Sequence, residues 1–324
     1  MIKEEKVVIT SDINIGATIA YQDKKEKRPL VLLIAGTGSL DRDGNSFALK
    51  TNLYKDLSDM FVKMGCVCIR YDKRGTHESK GCDLNFGLSD LVNDAATIVR
   101  SAKNLDYVDS ERVVICGHSE GAMIATLLTK KEDLRGIILL GGAGMSLKDA
   151  MLYQNYLVLE QVKDMKGILG WFLRKTLKPD KIEEQVSGLF NKAEQTQKDT
   201  FFYKGSIMPT KYIKEHHELT DKSYIELLKT YKGKILAITG KADVQADYRK
   251  LELLEDIDGI TMETPEGVNH LLKDIDTKPN ILNIKKEYKL SFKKRISPKI
   301  KETRRDLIDK LFEKYCGDAV TTME

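Results

Sequence analysis

Residues 113–124 read Val-Val-Ile-Cys-Gly-His-Ser-Glu-Gly-Ala-Met-Ile, and this stretch decides the fold. It begins as an apolar, β-branched run typical of a buried strand, and it continues into residues that favour a helix. The five residues between strand and helix fit the pattern G-x-S-x-G. Because Gly117 and Gly121 carry no Cβ, strand and helix can approach closely around the turn. The hydroxyl of Ser119 is then held out at the helix N-terminus.

The same turn also offers a site for negative charge. At the N-terminus of the helix, the backbone N–H of Glu120 can point at a developing oxyanion. A serine in a glycine-rich turn can be a turn residue and nothing more, but the flanking strand and helix favour a nucleophile. The stretch resembles the nucleophile elbow of the α/β-hydrolase superfamily, which implies that Ser119 attacks the substrate.

The order of the predicted elements extends this resemblance. A hairpin opens the chain, and strands then alternate with helices on both sides of the elbow, which predicts a mostly parallel, doubly wound sheet. The predicted strands outside the elbow lie at 6–10, 15–21, 29–35, 66–71, 134–144, 234–239 and 259–264, and the predicted helices include 47–64, 88–104 and 246–255. The resemblance implies an α/β-hydrolase fold over 1–145 and 231–324. Residues 146–230, predicted to be helical without strands, would be an inserted lid, and about 273–324 a C-terminal extension.

Two further residues follow predicted strands, as the family's catalytic acid and base do. Asp243 ends a Gly-x-x-Asp turn after the strand at 234–239, and His270 follows Asn269 after the last strand. By this match, His270 would take the proton of Ser119 and Asp243 would fix the imidazole tautomer. Since each of the three lies just beyond a strand at one edge of the sheet, they can converge.

The remaining site residues come from loops and from the lid. After the strand at 29–35, the match to the superfamily implies that the N–H of Thr37 is the second oxyanion donor, and Gly38 beside it is a candidate for the substrate pocket. The loop at 72–79 resembles the family's Asp-x-Arg-Gly-x-Gly-x-Ser, but His77 stands where glycine is usual. His77 is expected to be either a surface loop residue or a contact at the pocket mouth. Most apolar lid residues are expected to pack the lid on itself, and some, with Trp171 and Phe172 as candidates, to line an acyl or aromatic pocket.

The remaining histidines and possible metal ligands are not expected to take part in catalysis. The adjacent His216 and His217 are expected to be solvated or polar lid residues. Neither the Cys66-x-Cys68 pair nor the turn-rich loop 41–45 completes a metal site, so no metal and no organic cofactor are expected.

Composition sets the broader class of the protein. The chain has 324 residues, of which 41% are hydrophobic and 31% charged, as in soluble globular proteins. A net charge of +4 does not argue for nucleic-acid binding. The first residues have no apolar run behind them, no stretch has the length of a membrane span, and the five cysteines suggest free thiols. We therefore expect a cytoplasmic protein.

The C-terminal region departs from the family pattern. A helix is expected from Ser297-Pro298 to about residue 315. Its basic residues are expected to form a solvated face, with contact to anionic lipid or acidic partners as the alternative.

The prediction from sequence is a serine hydrolase that cleaves small-molecule carboxylic esters through an acyl-enzyme. Serine peptidase, thioesterase and acyltransferase activities remain open, because the three catalytic residues do not distinguish them. A catalytically silent ligand-binding protein of the same fold is the alternative from another class. The natural substrate and the oligomeric state stay open.

Overall fold

The central element is an eight-stranded sheet, seen in a computed structural model that describes residues 1–47, 49–80, 84–291 and 294–301. Its strands are β1 (Lys3–Thr10), β2 (Asn14–Tyr21), β3 (Arg28–Ile34), β4 (Val67–Tyr71), β5 (Val108–His118), β6 (Gly136–Leu140), β9 (Lys234–Ile238) and β10 (Ile260–Glu263). Two further strands, β7 (Thr200–Tyr203) and β8 (Ser206–Pro209), pair with each other away from this sheet.

The strand order is β1-β2-β4-β3-β5-β6-β9-β10. The opening hairpin pairs antiparallel with itself and with β4, and all the other neighbours are parallel. The predicted mostly parallel, doubly wound sheet is therefore confirmed. Because the catalytic candidates follow β5, β9 and β10, which are parallel, they lie at one edge of the sheet.

Helices cover both faces of the sheet. They are α1 (Leu53–Lys63), α2 (Leu88–Lys103), α3 (Glu120–Leu128), α4 (Leu147–Lys163), α5 (Gly167–Thr176), α6 (Pro179–Gln195), α7 (Thr210–Glu218), α8 (Asp221–Thr230), α9 (Ile284–Ser291) and α10 (Pro298–Lys301). In β3, Leu30 and Leu32 belong to the core under α2 and α3, whereas Val31 and Leu33 belong to the core under α1. Successive side chains of a strand point to opposite faces, so a strand buried on both faces must be apolar throughout.

The segment 146–230 has a small core of its own. Its buried members are Val186, Leu189, Phe190, Ala193, Phe201 and Ile213. The prediction that this segment contains no strand was wrong, since β7 and β8 form a hairpin within it. Lys204 and Gly205 join the strands with φ of 46° and 88°, the left-handed conformation that a tight two-residue hairpin turn requires.

Several helices differ from the sequence prediction. The helix expected over 47–64 begins only at Leu53, as α1. The helix expected over 246–255 is a 3₁₀ helix at Tyr248–Leu254, and another short 3₁₀ turn precedes α9. Only α10 of the expected C-terminal helix lies within the described residues. Cys82 and Cys316 also lie outside them, while Cys66, Cys68 and Cys116 are buried and form no disulfide within the described part of the chain. In the described part of the chain, no helix has the length and apolar character needed to cross a membrane.

Candidate active site

The turn between β5 and α3 places Ser119 in a strained backbone conformation. Its φ of 57° and ψ of −122° lie in a region that non-glycine residues rarely occupy. A Cβ on Gly117 would lie 2.0 Å from the carbonyl oxygen of Gly121, and one on Gly121 would lie 2.2 Å from that of Ile34. Both positions therefore require glycine, because the backbones of β3, β5 and α3 approach each other around the serine.

Asp243 and His270 meet at the same edge of the sheet, and both are buried. Nδ1 of His270 lies 2.7 Å from Oδ2 of Asp243. The other carboxylate oxygen accepts the backbone N–H groups of Gln245 and Ala246 at 2.7 and 2.9 Å. Since the carboxylate can only accept, the proton of the neutral imidazole is on Nδ1, and Nε2 keeps its lone pair.

A cavity of about 400 Å³ lies over the elbow, and Ser119 and His270 both line it. Thr37 and Glu120 line it too, while Asp243 sits behind His270. Among the described contacts, no hydrogen bond joins the Ser119 hydroxyl to the imidazole. In enzymes without a bound ligand, such bonds are often long and tighten only when substrate is present.

Two backbone N–H groups are available beside Ser119. Glu120 is the first residue of α3, so its N–H has no acceptor within the helix. Thr37 follows β3 on the other side of the serine, and its N–H donates to no acceptor among the hydrogen bonds of the described residues. The two N–H groups come from separate loops, and both residues line the cavity together with Ser119.

A hydrogen-bond relay through His118 joins the loops around the cavity. The N–H of Gly36 donates to the hydroxyl of Tyr54 at 2.8 Å, and that hydroxyl lies 3.1 Å from Nδ1 of His118. Nε2 of His118 donates to the carbonyl oxygen of His270 at 2.8 Å. Burial is the main cause, and the nearby His270 the second, that lowers the pKa of His118 to about 3, so the ring is neutral. That His118 links these loops by hydrogen bonds was not predicted from the sequence.

The side chain of Glu120 is buried in a polar cluster. Nζ of Lys73 donates to Oε2 at 2.6 Å, and the hydroxyl of Tyr212 on α7 donates to Oε1. Burial acts to raise the pKa of Glu120, but the charge of Lys73 and the contact with His216 outweigh it and hold the pKa well below its usual value. Glu120 is therefore an ion paired with Lys73. The sequence offered no signal for this pairing.

The four weaker pocket candidates do not line this cavity. Gly38, with φ of 111°, lines an adjacent cavity of about 440 Å³ that shares Thr37 with the first. His77 is an exposed loop residue with φ of 40° beside a separate surface depression. Trp171 and Phe172 are 53% and 54% exposed on α5, and neither is among the described residues that line the cavity.

Other residues take their place. From α4, the cavity wall includes Leu147, Ala150, Met151 and Gln154. Tyr288 on α9 also lines it and accepts a hydrogen bond from Gln245. His216, expected to be a solvated or polar lid residue, is not solvated: it is 1% exposed and lines the cavity. Sequence periodicity marked Met151 as apolar but gave no sign that α9 contributes.

The described residues contain no group of three or more His, Cys, Asp or Glu side chains able to hold a metal ion. In the loop considered for calcium, the Asp41 carboxylate accepts the backbone N–H groups of Asp43 and Asn45. It therefore closes a turn, as Asp commonly does.

Three comparisons relate this geometry to known proteins. The family model Hydrolase_4, described as serine aminopeptidase, S33, matches residues 47–272. The chain is 24% identical over 253 residues to esterase EstD of Thermotoga maritima, covering 75% of this chain but 54% of EstD, so it spans about half the length of that relative.

Solved structures of similar shape include Est1E from Butyrivibrio proteoclasticus, with 15% identity, a TM-score of 0.57, and coverage of 95% of this chain and 99% of Est1E. The esterase Pf2001 from Pyrococcus furiosus has 12% identity, a TM-score of 0.56, and coverage of 96% and 92%. At these identities, the structural matches show a shared fold.

Proposed function

Because the chain belongs to the Hydrolase_4 family of α/β-hydrolases, we propose that it is a serine hydrolase that cleaves uncharged carboxylic esters through an acyl-enzyme. The observation that carries this proposal is the 2.7 Å contact of His270 with Asp243 beside a cavity into which the strained elbow presents Ser119. Esterases among the similar proteins support the same class of reaction.

The proposed mechanism follows from the roles of these groups. Oγ of Ser119 attacks the ester carbonyl carbon while Nε2 of His270 takes its proton, and Asp243 stabilises the resulting imidazolium. The N–H groups of Thr37 and Glu120 stabilise the tetrahedral oxyanion. His270 then protonates the leaving alcohol, and the acyl-enzyme forms. A water molecule repeats the sequence, which releases the acid and restores Ser119.

The electrostatics of the cavity favour an ester over a peptide with a free amino terminus. An aminopeptidase needs a carboxylate that is free to bind the substrate ammonium group. Among the described residues that line the cavity, Glu120 is the one carboxylate, and Lys73 already neutralises it at 2.6 Å. Because the carboxylate of Glu120 already has a cationic partner, we infer that substrates carry no ammonium group near the scissile bond.

We further propose that residues 146–230 act as a lid over a core formed by 1–145 and 231–324. The contribution of α4 to the cavity wall supports this division, because helix α4 begins immediately after the core strand β6 and its glycine-rich loop. The contribution of Tyr288 supports a further role for the C-terminal extension in shaping the pocket.

One plate-based experiment tests the activity. Esters of p-nitrophenol with acyl chains of rising length are compared with aminoacyl arylamides, for the wild type and for Ser119→Ala. We expect ester turnover that is lost in Ser119→Ala and kept in Ser101→Ala, which alters an exposed serine on α2.

Labelling of Ser119 by a fluorophosphonate is the direct test. A folded wild type that is not labelled would favour the ligand-binding alternative, and preferential arylamide cleavage would favour a peptidase.

A further inference from the structure

His216 is a buried polar residue whose hydrogen-bonding groups are unused. It lies on α7, where Thr210, Ile213 and His216 form the inward face at helical spacing. Its neighbour His217 points the other way and stacks on Phe190 at 5.0 Å. Both ring nitrogens of His216 are buried, and neither has a hydrogen-bond partner among the described residues.

The groups around His216 already satisfy one another. Oε1 of Glu120 lies 3.6 Å from Nε2, which is beyond hydrogen-bond distance and pairs the two groups only when the imidazole is protonated. Oε1 accepts from Tyr212 and Oε2 accepts from Lys73. The ring of Tyr212 meets that of His216 edge-on, with the ring centroids 4.5 Å apart. Of the side chains Glu120, Lys73, Tyr212 and His216, His216 is the one without a hydrogen-bond partner among the described residues.

An unsatisfied buried polar group is costly, and native proteins keep few of them. His216 borders the cavity that contains Ser119, so a bound ligand can reach it. A neutral imidazole presents one N–H donor and one acceptor. The neighbouring Glu120 repels an anion, and its pairing with Lys73 leaves no free carboxylate to bind a cation.

The matching ligand group is one that both donates and accepts a hydrogen bond without carrying charge. We propose that His216 is a specificity-determining residue that recognises a hydroxyl group of the substrate. This inference rests on the proposed ester hydrolase function and narrows its substrates to esters that bear an alcohol or phenol hydroxyl at a distance from the scissile bond.

The kinetic test compares ester pairs that differ in one hydroxyl. In one series, methyl esters of ω-hydroxyalkanoic acids of rising length and of 4-hydroxyphenylpropanoic acid are paired with their deoxy counterparts. In the other, the hydroxyl is on the alcohol portion of acetate esters. We expect the best hydroxylated ester to exceed its deoxy partner at least about 10-fold in kcat/KM, in line with other sites that bind a substrate hydroxyl. The series that shows this preference identifies which portion reaches His216.

The variant His216→Phe keeps a ring and removes both nitrogens, and His216→Leu is a second variant in case the first does not fold. We expect either one to reduce the preference to within about 2-fold while the deoxy ester keeps its kcat/KM within about 3-fold. His217→Phe, in the next position, should keep the wild-type preference. An equal loss on both esters, or a wild type without preference in either series, would overturn the proposal.

A binding measurement separates this inference from the catalytic proposal. Calorimetry on the wild type and on His216→Phe would compare a hydroxylated carboxamide with its deoxy analogue, neither of which needs to react. We expect about 10-fold tighter binding of the hydroxylated analogue to the wild type alone. If Ser119 is not labelled by a fluorophosphonate but this difference is present, the catalytic proposal fails and the hydroxyl site stands. Equal affinities, or no measurable binding of either analogue, would overturn the site.

Discussion

Replacing Asp243 by Asn tests the proposed mechanism most directly, because the surroundings of the carboxylate fix the orientation of the new amide. Oδ1 of Asp243 accepts two backbone N–H groups, at 2.7 and 2.9 Å. In Asp243→Asn, the amide oxygen must take that position, since an NH₂ group there would face two donors. The NH₂ group then faces Nδ1 of His270.

This orientation reverses the imidazole tautomer. Nδ1 of His270 must accept from the amide, so the ring proton moves to Nε2, and Nε2 can no longer take the proton of Ser119. The loss in kcat expected for a wrong tautomer is about 10⁴-fold, or about 5 kcal/mol of transition-state stabilisation. Folding should be kept, because the amide has the shape of the carboxylate and retains both backbone hydrogen bonds.

The assay measures kcat and kcat/KM on a p-nitrophenyl ester, together with the rate of fluorophosphonate labelling and the thermal unfolding midpoint. Asp247→Asn is the matched control, since that carboxylate lies four residues on and pairs with Arg249. It should leave both rates close to wild type. If Asp243→Asn folds normally and keeps its rate within about 10-fold of wild type, another residue supplies the acid and the proposed mechanism is wrong.

Three further predictions concern the residues that support the site. Gly121→Ala should destabilise the fold or abolish it, because its Cβ would lie 2.2 Å from the carbonyl oxygen of Ile34, and denaturant unfolding would measure the loss; a normal unfolding midpoint would contradict the close approach. His118 has a folded pKa of about 3, below the unfolded value near 6.5, so the unfolded chain binds the extra proton and stability falls as the pH drops. Through this residue, the free energy of unfolding should fall by about 1.4 kcal/mol for each pH unit between about pH 6 and 3. The plot of unfolding free energy against pH should be shallower by that amount in His118→Gln, and identical slopes for the two proteins would refute the low pKa of His118. Lys73→Met should lower the free energy of unfolding by about 3–5 kcal/mol, because it leaves the buried Glu120 carboxylate without its partner. The double variant Lys73→Met/Glu120→Gln should recover most of that stability in urea unfolding. Equal stability of the single and double variants would count against the ion pair.

The sequence alone determined the parts of this protein that depend on local chemistry. The turn at Ser119 was predictable because strand, glycines and helix are adjacent in the chain. Glycines on both sides of the serine indicate that strand and helix backbones approach closely there. The alternation of strands and helices followed from periodicity, whereas the choice of Asp243 and His270 followed from the resemblance to the α/β-hydrolase family. Each of these residues lies just beyond a strand, and parallel strands end at a common edge. The hydrogen bond between those two residues is a consequence of that shared edge.

The tertiary structure decided which side chains surround the serine. Helical periodicity identifies residues that share a face, but it cannot tell which neighbour that face will meet. The aromatic pair at 171 and 172 therefore looked suited to the pocket, yet it is half-exposed, while α4 and Tyr288 line the cavity. His216 and His217 are adjacent and equally polar, and only the packing of α7 turns one of them inward. Contacts between elements distant in the chain depend on docking geometry, which no local pattern records.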